Sequence, residues 1–79
     1  MLELRIKKII SRLFGIPEDM INHTTSTETV TKWNSLGHMN LIIALEEEFS
    51  VNFSAEQMME MLSFTSIVSA VNDSLKQEA

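Results

Sequence analysis

Trp33-Asn34-Ser35-Leu36-Gly37-His38-Met39-Asn40-Leu41, running on into Ile42-Ile43-Ala44-Leu45-Glu46-Glu47-Glu48-Phe49, decides how the rest of the chain is read. It has the form of a loop end followed by a helix. Asn34 and Ser35 are helix-starting residues, because their side-chain oxygens accept from the open N–H groups of a first turn. Beyond them Leu36, Met39, Ile42, Ile43, Leu45 and Phe49 recur at three- and four-residue intervals, the period of an apolar helical stripe. Ala44, Leu45 and the three glutamates favour helix intrinsically. The spacing predicts a helix over about residues 35–49, with Ser35 exposed at its mouth. A serine there is either a simple cap or an attachment point, since the positive end of a helix dipole suits a phosphate.

Working outward, Leu2, Ile6, Ile9, Ile10 and Leu13 form an earlier stripe with Arg5, Lys8 and Arg12 between them, and Gly15 and Pro17 supply a stop. This places a first helix near residues 3–14. Pro17-Glu18-Asp19 opens a short turn, with Met20 and Ile21 expected to pack inward. Asn22 to Thr31 is rich in Thr and Ser and favours irregular backbone. A loop this long is uncommon in a compact domain and is often functional. Val30 and Trp33 are expected to pin it to the core.

After the central helix, Val51-Asn52-Phe53 is a linker, and Ser54-Ala55-Glu56-Gln57 matches a capping box. A short helix follows near 55–62. Ser63 or Thr65 then caps a last helix near 65–77, striped by Phe64, Ile67, Val68, Val71 and Leu75. No strand pattern or repeat is present. The expected fold is all-α, a small four-helix bundle with one long loop between its first two helices, in a single domain spanning residues 1–79.

Composition narrows the function. Seventy-nine residues at 44% hydrophobic content bury a thin core, and no cysteine is present to add a disulfide or a thiolate metal site. The formal charge of −5 is uneven: Arg5, Lys7, Lys8 and Arg12 face only Glu3 at the start, while the remaining acids face only Lys32 and Lys76. Such a surface repels nucleic acid and favours basic protein patches, although acidity also serves plain solubility. With no membrane-length apolar run and no signal-peptide pattern, the expectation is a cytoplasmic monomer without membrane insertion.

Catalytic groupings are scarce. His23 and His38 lie without metal-ligand spacing and read as surface residues. A Ser35–His38 pair lacks an orienting acid and an oxyanion-hole motif. No glycine-rich phosphate loop is present, so no enzyme activity and no metal site are expected. Met39, Met58, Met59 and Met61 are expected at the bundle centre or seam, either as ordinary core or as a core that admits apolar guests.

Asn34-Ser35-Leu36, followed by Ala44-Leu45-Glu46-Glu47-Glu48-Phe49, resembles the acyl carrier proteins. Their signature is Asp-Ser-Leu at the start of the second helix, with an acidic segment at its end. The departure is Asn34, which caps as Asp does but carries no charge. The resemblance implies 4′-phosphopantetheine from coenzyme A attached to Ser35 by a phosphopantetheinyl transferase. The arm's thiol would carry acyl groups as thioesters to fatty-acid, polyketide or related biosynthetic enzymes with basic docking patches. It further implies partner contacts by Asn34, Leu36, Met39, Glu46, Glu47 and Glu56. It also implies an acyl pocket between the second and third helices, from Met39, Ile43, Met58, Met61 and Leu62. Gly37 and Asn40 stand where housekeeping carriers tend to have acids, which suggests a specialised carrier. The rival readings are an aminoacyl or peptidyl carrier and an unmodified acidic interaction module.

Overall fold

The computed structural model describes residues 2–77; Met1, Glu78 and Ala79 of the single-domain span lie outside the described residues. Among the described residues the chain forms four α-helices and no strand: α1 (Leu2–Phe14), α2 (Ser35–Phe49), α3 (Ala55–Glu60) and α4 (Phe64–Gln77). A 3₁₀ turn, Glu18–Met20, interrupts the long loop. Each boundary has a local cause. Gly15 takes φ +68° and donates its N–H to the Ser11 carbonyl at 2.9 Å, closing α1 in the left-handed conformation that glycine adopts without a Cβ clash. At the start of α3, Ser54 Oγ accepts from the Gln57 N–H and Gln57 Oε1 accepts from the Ser54 N–H, so the expected capping box is complete. Ser63 caps α4 by accepting from the Ser66 N–H at 3.2 Å. Helix α3 stops two residues short of the expected 62, because Met61 leaves helical geometry (φ −84°, ψ 55°) to turn its side chain into the core.

The core is built by three helices. Ile6, Ile9, Ile10 and Phe14 of α1 meet Leu41, Ile42, Leu45 and Phe49 of α2 and Phe64, Ile67 and Val71 of α4. The connections add Ile21, Val30, Trp33, Val51, Phe53 and Met61. Helix α3 itself contributes no buried residue. Met20, expected to pack inward, is 64% exposed: the 3₁₀ turn directs Ile21 into the core and Met20 away from it. Met59 is likewise exposed, and among the four methionines expected at the centre only Met61 is fully buried.

The long loop is ordered by its own hydrogen bonds. Asn22 Oδ1 accepts from the Thr24 N–H, Thr25 Oγ1 from the Asn22 N–H, and Thr29 Oγ1 from the Ser26 N–H. The Thr27 N–H then reaches the Leu62 carbonyl at 3.0 Å and the Phe64 N–H reaches the Thr25 carbonyl at 2.9 Å. The loop is therefore fastened to the α3–α4 connection, and it delivers Trp33 to the core immediately before α2.

Gly37 shows how tightly that delivery is made. A Cβ at this position would overlap the Lys32 carbonyl oxygen and sit 3.0 Å from the Phe14 ring. The first turn of α2 lies directly on the loop backbone, so an acid at position 37 is sterically barred. Gly37→Ala is expected to cost about 1–3 kcal/mol, the usual range for overpacking against atoms that cannot move aside. Chemical denaturation of the two proteins measures it.

Candidate functional site

The mouth of α2 settles which of its two polar residues does the capping. Asn34 is the N-cap, in extended backbone, and its Oδ1 accepts from the Gly37 N–H at 2.9 Å. Its carbonyl accepts from the His38 N–H. Ser35 is the first helical residue and is exposed. The cap belongs to Asn34, so the Ser35 hydroxyl is free of that duty and the simple-cap reading of Ser35 falls away. The first turn contains no acid. A phosphoester on Ser35 would meet the positive end of the α2 dipole and the unpaired N–H groups of its first residues, without like-charge repulsion from that turn.

Ser35 opens onto a cleft of about 330 Å³ lined by Thr27, Trp33, Asn34, His38 and Leu62. Its floor is fixed by an unusual histidine. The buried Trp33 donates its indole N–H to His38 Nδ1 at 3.0 Å, and His38 Nε2 lies 2.8 Å from the Met58 carbonyl oxygen. An imidazole nitrogen that accepts carries no proton, so the ring's proton sits on Nε2 and is donated to Met58. The expectation of a surface residue is corrected: His38 is half-buried and joins loop, α2 and α3. Trp33 is stacked in turn on Phe14, ring centroids 5.7 Å apart.

Residues 4–71 match the family described as the phosphopantetheine attachment site. The chain belongs to this family. Its cofactor is thus a covalently attached 4′-phosphopantetheine, and the exposed, unencumbered hydroxyl at the acid-free mouth of α2 fits that group. The fold resembles the solution NMR structure of the holo acyl carrier protein of Geobacter metallireducens, with a TM-score of 0.85 over 99% of this chain and 91% of that one, at 24% identity. The four-helix architecture is that of an acyl carrier protein.

Within this carrier domain the other expected site residues separate into groups. Leu36 (72% exposed), Met39 and Ile43 stand outward on α2. Helical geometry puts them with Glu47 on one face, opposite the buried Leu41, Ile42, Leu45 and Phe49. Ile43 and Met39, expected in a pocket between α2 and α3, are 50% and 49% exposed, and the buried stripe of α2 is rotated from the expected one. Leu62 borders the Ser35 cleft, Ile43 a groove with Glu46 and Glu47, and the fully buried Met61 a third hollow with Gln57 and Ser66. Of the five residues expected to form one acyl pocket, Met61 is fully buried, Met58 is half-buried against the core, and Met39, Ile43 and Leu62 are exposed.

The three glutamates also part company. Glu46 is half-buried, and its Oε2 accepts from the Phe53 N–H at 2.9 Å. Glu48 takes both Arg5 Nε and Nη2, while Nη2 also donates to the Glu48 carbonyl. Glu47 is exposed, as is Glu56 on α3. The basic face of α1 is partly engaged inside the domain: Arg5 covers the Phe49 ring at 4.5 Å and Lys7 lies 5.7 Å from the centre of the Phe64 ring. Sequence reasoning missed Leu41 as core and His38 as a bridge. The only available signal for His38 was its place one turn before Leu41 and Ile42, on their face of the helix.

No helix is long and apolar enough to cross a membrane, and among the described residues no three His, Asp or Glu side chains gather at a metal-sized site.

Proposed function

We propose that Ser35 is the attachment residue, and that the domain carries acyl groups on the phosphopantetheine arm to enzymes that dock on the outer face of α2. The observation that carries this is the division of labour at the helix mouth: Asn34 caps, and Ser35 is exposed with its hydroxyl unused. When bound, the arm supplies a terminal thiol on which an acyl group rides as a thioester. The chain's own part is to present the Ser35 oxygen as a nucleophile to a phosphopantetheinyl transferase and to hold the resulting phosphoester at the positive end of α2.

Leu36, Met39 and Ile43 form an apolar strip with Asn34 at its start and Glu47 at its end, and Glu56 adds a charge from α3. Exposed apolar groups rimmed by acids suit a partner with an apolar hollow and a basic edge. Fatty-acid, polyketide or related biosynthetic enzymes that load and process acyl thioesters are the proposed clients.

Purified apo-protein incubated with coenzyme A, magnesium and a broad-specificity transferase is expected to gain the mass of one phosphopantetheinyl group. Ser35→Ala is expected to gain none while keeping its helical circular-dichroism spectrum, since the replaced hydroxyl supports no cap. Wild-type protein left unmodified by several transferases would favour an interaction module instead.

A further inference from the structure

We propose that His38 closes the seam between α2 and α3, so that this carrier keeps its cargo in the open cleft beside Ser35 and is built for short acyl groups. The inference rests on Ser35 bearing the arm. A long apolar chain entering the bundle from Ser35 would run down the inward face of α2, and the first inward position on that face is 38. There the imidazole is held at both nitrogens, by Trp33 Nε1 at 3.0 Å and by the Met58 carbonyl at 2.8 Å.

Displacing the ring would leave the indole N–H of Trp33, a residue only 2% exposed, without its acceptor. It would also free the Met58 carbonyl near the end of α3. Because α3 has no fully buried residue, the His38–Met58 bond, the half-buried Met58 side chain on the core and the burial of Met61 together hold this short helix to the bundle. Beyond the ring, Leu41, Leu45, Met61 and Ile67 are fully buried and packed against one another. The cleft beside Ser35 is different. It is open to solvent and mixes Thr27, Asn34 and His38 with Trp33 and Leu62. Those walls suit a few carbons and polar neighbours, not an extended alkyl tail.

The test loads Ser35 by transferase from butyryl- and decanoyl-coenzyme A and confirms each product by mass. Two readouts follow: the methyl resonances of Met58, Met61 and Leu62, and the rate at which hydroxylamine cleaves the thioester. In the wild type both cargoes are expected to leave the Met61 methyl unmoved and to be cleaved at rates within about twofold. Even two methylenes sheltered in the core would favour the protected state by roughly tenfold, so shelter would be plain in the rates. His38→Ala is expected to let the decanoyl chain shift Met61 and slow its cleavage, with butyryl unaffected. His38→Gln, which offers both an acceptor and a donor, is expected to restore the wild-type pattern. A decanoyl wild type that shifts Met61 and resists cleavage overturns the proposal and leaves the Ser35 reading standing. A mass spectrum without any added arm overturns both.

Discussion

Trp33→Ala is expected to remove a large share of the domain's stability and to move its urea midpoint far below that of the wild type. Replacing a buried tryptophan by alanine costs about 3–5 kcal/mol through lost burial and the cavity left behind. A domain of this size has roughly 4–12 kcal/mol in total, at about 0.05–0.15 kcal/mol per residue. The position also carries more than its own burial. Trp33 holds Phe14 of α1 by stacking and His38 of α2 by its N–H, and it ends the loop that Thr27 and Thr25 fasten to the α3–α4 connection. Trp33→Phe separates these roles. It keeps a ring against Phe14 but removes the donor to His38, and is expected to cost about 0.5–1.5 kcal/mol for the lost bond plus part of the burial. Urea unfolding followed by circular dichroism measures both, since the variants lose the chain's only tryptophan fluorophore. Equal losses for Ala and Phe would show that the indole N–H, not the ring, is what matters.

The fold was legible wherever local chemistry decides it. Gly15, the Ser54–Gln57 box and Asn34 are each read from a few adjacent residues, and the structure uses them as such. The rotation of α2 was not legible. Its apolar residues run nearly all the way round, with Leu36, Met39 and Ile43 exposed and Leu41, Ile42, Leu45 and Phe49 buried, so no period selects one face. A helix that must both build a core and offer an apolar surface breaks the inside-outside pattern on which such reading depends. For the same reason the methionines misled: Met59 and Met20 are large, apolar and outside. His38 was hidden for a different cause. Its partners are a carbonyl twenty residues on and an indole held by the loop fold, and neither contact leaves a trace in local sequence.

Glu46, Glu47 and Glu48 look alike in sequence, and reversing their charges one at a time is expected to give three different outcomes. Glu46→Lys is expected to destabilise the domain by about 1–3 kcal/mol, because the Phe53 N–H in the half-buried α2–α3 linker loses its acceptor. Glu46→Gln keeps an oxygen there and is expected to change little, which separates the hydrogen bond from the charge. Glu48→Lys breaks a partly exposed pair with Arg5, a type of contact that contributes about 0–1 kcal/mol. Glu47 has neither tie. It is exposed on the same face as Ile43, and Lys there also suits the negative end of the helix dipole. Glu47→Lys is therefore expected to leave stability unchanged or slightly raised while slowing association with an acyl-loading enzyme several-fold at low salt. The deficit is expected to shrink at high salt, as screening reduces the attraction in both proteins. Stopped-flow association across a salt series, beside denaturation of the same variants, resolves the three. An association rate at low salt that ignores Glu47→Lys would move the docking charge to Glu56 on α3, leaving the end of α2 with a purely structural role.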